Sequence, residues 1–148
     1  MAKNTRPRFT ITGDVSSDGS TTMAPTLTTA AADYTGISAN NKLVFSGDDT
    51  NGSRIVGLHF QAIGTNTQSV ARVYYNNGST NTTAANNSLA GALTLPATTA
   101  SNTVAEATAE YYFPGGYADM SAGFNIYVGL ATTVAAGWVV TPILGGEF

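Results

Sequence analysis

The sequence predicts an all-β protein: an antiparallel β-sandwich of eight or nine short strands, jelly-roll-like by strand number. Three observations lead there. Good helix formers are sparse, and the chain is built from Thr, Ala, Gly, Asn and Ser with scattered Val, Ile, Leu and aromatics. Where apolar residues show a period, the period is two. Gly, Asn and Asp turn signals then punctuate the chain at short intervals.

The first two strands are expected at 8–12 and 24–29. Between them, Gly13-Asp14-Val15-Ser16-Ser17-Asp18-Gly19-Ser20 reads as a mobile loop, as do residues 1–7. A third strand is expected at 42–46. Asp48-Asp49-Thr50-Asn51-Gly52 follows, and Asn-Gly favours positive φ, so a tight hairpin is expected there. In strand 54–63, Val56, Leu58, Phe60 and Ala62 share one face; Ile55, His59 and Gln61 take the other. Strand 68–75 ends at Asn76-Asn77-Gly78-Ser79, and the polar stretch 79–87 reads as an exposed loop before strand 88–95. Strand 103–112 is closed by Pro114-Gly115-Gly116. Strand 123–131 has the cleanest alternation, with Phe124, Ile126, Val128 and Leu130 inward. The last strand, 137–144, places Trp138, Val140 and Leu144 on one face. The second faces are not fully polar: Ile55, Tyr112, Tyr127, Val139 and Ile143 suggest an association surface.

The 148 residues fit a single β-sandwich domain at 8–148, preceded by a flexible basic N-terminal arm at 1–7. A chain of this size buries roughly 68–70% of its unfolded surface, enough for a core without staples. There is no cysteine, so no disulfide and no thiolate metal site. The net charge of −3 supplies no positive field for nucleic acid. No apolar run approaches the roughly 20 residues of a membrane helix, and no apolar stretch follows the basic start, so neither a membrane span nor a secretory signal is expected.

Only 10% of the residues are charged, and His59 is the one histidine. A lone histidine in a strand lacks the second base or orienting partner that a triad requires. Glu106 and Glu110 are near in sequence, but four residues along a strand is about 13 Å, too far for one glycosidase site. Asp14 to Asp18-Gly19 and the Asp48 turn offer oxygen ligands for calcium without EF-hand spacing. Asn51, Asn77, Asn81 and Asn86 match the glycosylation pattern, which chance supplies in so Asn- and Thr-rich a chain. No catalytic residue, cofactor or metal site is therefore expected. Lys3, Arg6 and Arg8 are half of the six basic residues, and an extended arm carrying them is a candidate partner-binding element.

Several segments taken together are similar to small β-sandwich structural proteins of tailed bacteriophage virions. They are Gly52-Ser53-Arg54-Ile55-Val56, Ala62-Ile63-Gly64-Thr65-Asn66-Thr67, and Val73-Tyr74-Tyr75-Asn76-Asn77-Gly78. Further along come Leu93-Thr94-Leu95-Pro96-Ala97-Thr98-Thr99-Ala100-Ser101, Ala136-Gly137-Trp138-Val139-Val140-Thr141 and Gly145-Gly146-Glu147-Phe148. The resemblance is to capsid decoration, or cement, proteins. It implies a non-enzymatic virion protein, assembled in the host cytoplasm as a homotrimer on the major capsid protein, without nucleic-acid or membrane partners. The rival expectation is a tail-fibre or receptor-binding domain gripping carbohydrate, with tyrosines and Trp138 as stacking faces.

Overall fold

The computed structural model describes residues 8–9, 13–16, 23–31 and 33–147. Lys3 and Arg6 lie outside the described residues, as does all of the proposed arm at 1–7. The described chain is all-β, with twelve strands: β1 (Arg8–Phe9), β2 (Thr26–Leu27), β3 (Lys42–Ser46), β4 (Ser53–Ile55), β5 (Gly57–Ala62), β6 (Ser69–Asn76), β7 (Asn87–Leu95), β8 (Thr108–Tyr112), β9 (Ala118–Met120), β10 (Asn125–Leu130), β11 (Trp138–Ile143) and β12 (Gly146–Glu147). The helical pieces among the described residues are single 3₁₀ turns at Ala84–Asn86 and Pro114–Gly116.

The strands form three antiparallel sheets, ordered β3-β10-β6-β7, β2-β11-β5-β8 and β1-β12-β4-β9. The last two are halves of one bent surface. β4 runs into β5 through Val56 alone, β8 into β9 through the 3₁₀ turn, and β11 into β12 through Leu144 and Gly145. At the bend Val56 donates its N–H to the Ile143 carbonyl and accepts from the Phe113 N–H, at 3.1 and 3.2 Å. Strands that change sheet at a bend are how stacked sheets make corners. In chain order the pairs are nested: β2 with β11, β3 with β10, β5 with β8, β6 with β7.

The core lies between the bent surface and the β3-β10-β6-β7 sheet, called flat because its strands do not run on into a second sheet. Leu58, Phe60, Ala62, Trp138 and Val140 from β5 and β11 form one buried cluster with Val44, Phe45, Val73, Ile126, Val128 and Leu130 from β3, β6 and β10. Phe113 fills the corner, edge-on to Tyr111 with centroids 5.2 Å apart and tilted against Tyr75 at 5.7 Å. Pro142 sits inside β11, where a missing N–H is normally costly. It is tolerated because β2 pairs only with Trp138 and Val139, so β11 has a free side at Pro142.

The bend overturns several expectations. Ile55, expected outward, is fully buried, while Val56 is only half-buried. Both Ile55 and Leu58 point to the core although three residues apart, because the chain changes sheet between them. Leu144, expected inward, is 65% exposed, with φ at +47°, where the chain leaves β11. Phe124 packs against the core from a half-buried position just before β10. Asp48 to Gly52 does turn the chain, and Gly52 has φ +79°. It is not a hairpin, however: β3 and β4 belong to different sheets. Two strands, β9 and β12, lie where none was expected, and 103–107 precedes β8 instead of belonging to it.

Candidate functional site

The sequence-level candidates scatter over the molecule. His59 and Glu110 face each other across β5 and β8, with His59 Nδ1 3.5 Å from Glu110 Oε1. Tyr112 donates its hydroxyl to Glu110 Oε2 at 2.6 Å. That hydrogen bond holds the Glu110 carboxyl below its ordinary range, with help from His59 and against slight desolvation. The same bond raises the Tyr112 phenol. The group stands on the open side of the sheet and contains no nucleophile placed against His59. Glu106 is not part of it: it lies outside β8 and accepts from the Ser101 N–H at 3.2 Å. The two glutamates share no site.

The Asp48 turn uses its carboxylate internally. Oδ1 accepts from the N–H groups of Thr50 and Asn51, and the Asp48 N–H donates to Ser53 Oγ at 2.7 Å. Partial burial pushes the Asp48 carboxyl up, but the Asn51 and Thr50 amides outweigh it and hold it low. Asp14 is buried and accepts from the Ser16 N–H at 2.9 Å. Asp18 lies outside the described residues. Among the described residues no three His, Asp or Glu side chains are grouped to hold a metal ion. Of the glycosylation matches, Asn77, Asn81 and Asn86 are tied into the loop after β6: their side-chain amides donate to Asn86 Oδ1, the Ser38 carbonyl and the Thr80 carbonyl. The loop expected at 79–87 is thus exposed but cross-linked.

Arg8 lies in β1, where its backbone is paired opposite Glu147 of the same chain. The β1-β12-β4-β9 sheet carries a row that sequence reading missed. Phe9, Gly146, Arg54 and Asp119 stand in register across its four strands and therefore share a face. Arg54 makes a two-pronged pair with Asp119, at 2.6 and 2.9 Å, and its guanidinium lies 3.9 Å from the Tyr117 ring centroid. The Asp119 bond raises the Arg54 pKa, and Arg54 in turn holds the Asp119 carboxyl low. Tyr117 and Phe9 are exposed in this sheet, as are Tyr112 and Leu144 at the strand ends that lead into it. The pairing joins residues 65 apart in sequence, so no local spacing announces it.

Two shallow grooves adjoin at the end of β7. One, of about 170 Å³, is lined by Tyr75, Phe124 and the amides of Asn76, Asn77, Asn86 and Asn87. The other, of about 320 Å³, shares Tyr75, Ser88 and Phe124 and extends to Asp119, Met120 and Ser121. β7 itself is a free edge, paired only with β6. Its nine residues carry no charge.

No protein-family model, curated protein or solved structure matches this chain.

Proposed function

We propose that this chain is a virion structural protein, a capsid decoration protein of tailed phages that binds the major capsid protein and stabilises the shell by contact alone. The observation that carries the proposal is the exposed Tyr117 stacked on Arg54 of the Arg54–Asp119 pair, with exposed Phe9 in the same row and exposed Tyr112 and Leu144 where β8 and β11 leave their sheet. Exposed aromatics beside an arginine are the usual composition of a contact surface. The nested pairing β2–β11, β3–β10, β5–β8, β6–β7 supports reading the domain as a jelly roll, a fold that capsid proteins share with lectins and cupins. Fold alone does not fix function. The sequence resemblance supplies the remaining support, and with it the virion location and the host cytoplasm as the place of assembly.

The test is co-sedimentation of the full chain with undecorated capsids. Wild type should bind, and a Tyr117→Ala/Leu144→Ser variant should bind much more weakly while keeping its far-UV circular dichroism. No binding by wild type would sink the proposal. The basic residues Lys3, Arg6 and Arg8 form a second contact in this reading. Removing residues 1–7 should weaken binding, and added salt should weaken the intact protein's binding, because exposed charges are screened over about 10 Å at 0.1 M. A second reading, a receptor-binding domain for a neutral carbohydrate, is favoured by the Tyr75–Phe124 groove with its amide walls. Selective binding on a glycan array, lost in Phe124→Ala, would favour it over decoration.

A further inference from the structure

We propose that the free edge of β7 pairs antiparallel with β7 of a second copy, joining two flat sheets into one across a two-fold axis. Unpaired strand edges offer rows of N–H and C=O groups to any second strand, and soluble proteins usually protect them with charge, proline or shortness. The other edges here are protected in that way. β3 carries Lys42, β8 Glu110 and β9 Asp119, and β1 and β2 are each two residues long. β7 has nine residues, about 30 Å of edge. Its one strand partner is β6; outside that ladder the Ala90 carbonyl accepts the Tyr111 hydroxyl of β8 at 3.1 Å, which leaves Gly91–Leu95 as the open stretch.

The occupant follows from charge. A charged edge laid antiparallel on its own copy brings like charges together; β7 meets its own copy with none. The register against β6 shifts between Val73 and Tyr74, so the β7 backbone is irregular around Leu89 to Gly91. The regular stretch is Gly91–Leu95, which puts the two-fold near Leu93. Ala92 and Thr94 are exposed there, on the outer face opposite Arg72 and Val70. A second observation marks the same strip. Tyr34, 70% exposed, stacks on the Arg72 guanidinium 4.1 Å from its ring centroid, and Leu89 is 42% exposed on the same outer face. Leu89 is on the edge strand itself, and Arg72 stands one strand in, on β6 opposite Ala92.

This pairing does not depend on the capsid reading, and it makes a dimer, whereas the resemblance implies three copies. Sedimentation velocity of the full chain at micromolar concentration tests it. Wild type should be a dimer. Ala92→Lys/Thr94→Lys should keep the circular dichroism and weaken dimerisation by about ten-fold or more, since like charges would face across the axis. Thr108→Lys, on the edge of β8, should leave the dimer intact. Hydrogen exchange gives a readout without substitutions: amides in 91–95 should slow with protein concentration, and those in 108–112 should not. A monomeric wild type, a trimer, a dimer indifferent to both lysines, or concentration-independent exchange at 91–95 would each overturn the proposal.

Discussion

The flat sheet and the bent sheet face the same core but keep their patterning differently. In β10 of the flat sheet, Ile126, Val128 and Leu130 are all buried on one face, with Gly129 the one alternate position buried beside them, because the strand begins and ends in one sheet. In the bent surface the pattern restarts: Ile55 and Leu58 are both buried across Val56. A period of two is therefore a property of a strand within one sheet. A sheet change resets its phase, and the reset here falls at Val56 and Gly57, where β4 gives way to β5.

The largest expected effect tests whether the two sheets share a core. Phe60→Ala in the bent sheet should cost about 3–5 kcal/mol, and Ile126→Ala in the flat sheet about 2–5 kcal/mol. Urea denaturation should show one cooperative transition for both, and a loss below about 1 kcal/mol in either would mean that its sheet packs elsewhere. Next comes the phase reset. Ile55→Ala should cost about 2–5 kcal/mol and Val56→Ala about 1 kcal/mol. An unbroken strand over 54–63 demands the reverse order, so the ranking alone decides.

A smaller effect probes the bend directly. A Cβ on Gly57 would sit 2.4 Å from the Tyr111 carbonyl oxygen, a backbone atom that cannot swing away. Gly57→Ala should cost about 1–3 kcal/mol. At Gly115, where φ is +83° and nothing lies within 4 Å, alanine meets only backbone strain. Its cost should be about 1 kcal/mol.

The smallest effect is electrostatic and confined to the bent surface. Asp119 is held low by Arg54, and Glu110 by Tyr112 and His59. A carboxyl with a lowered folded-state pKa stabilises the fold fully above its unfolded value, about 4, and loses that contribution as pH falls through the folded value. The urea midpoint should therefore drop slightly on acidification below about pH 4. Arg54→Gln should move the Asp119 titration upward by NMR with little change in stability, as exposed pairs give. An Asp119 that titrates identically in both proteins would show that the pair does not form in solution.

Much of the secondary structure was legible in the residues. β3, β6, β7 and β10 fall within a residue or two of expectation, because each begins and ends at a local turn signal. β9 and β12 were not legible, being three and two residues long, too short for a period to show. The turn at Asp48 was legible from Asp and Asn-Gly, but its consequence was not: side-chain capping and positive φ fix a reversal, and where the next strand finds its partner is a long-range matter. Of the candidate residues, His59 and Glu110 were visible singly. Their contact, like that of Arg54 with Asp119, needed strands brought together from distant parts of the chain. The acidic turns read as ordinary turn formers, and the Asp48 and Asp14 carboxylates do accept from amides of their own turns.

The sequence by itself determined the all-β class, through scarce helix formers and period-two runs, and the inward residues of strands that stay in one sheet. It also determined a chain poor in titratable groups. Only the tertiary structure decided where the phase resets, which charges pair, and that β7 stands at an edge. The physical reason is range. Propensity, turn chemistry and alternation act over a few residues, whereas the partner of each strand depends on pairings such as β2 with β11 and β5 with β8, made by residues tens of positions apart.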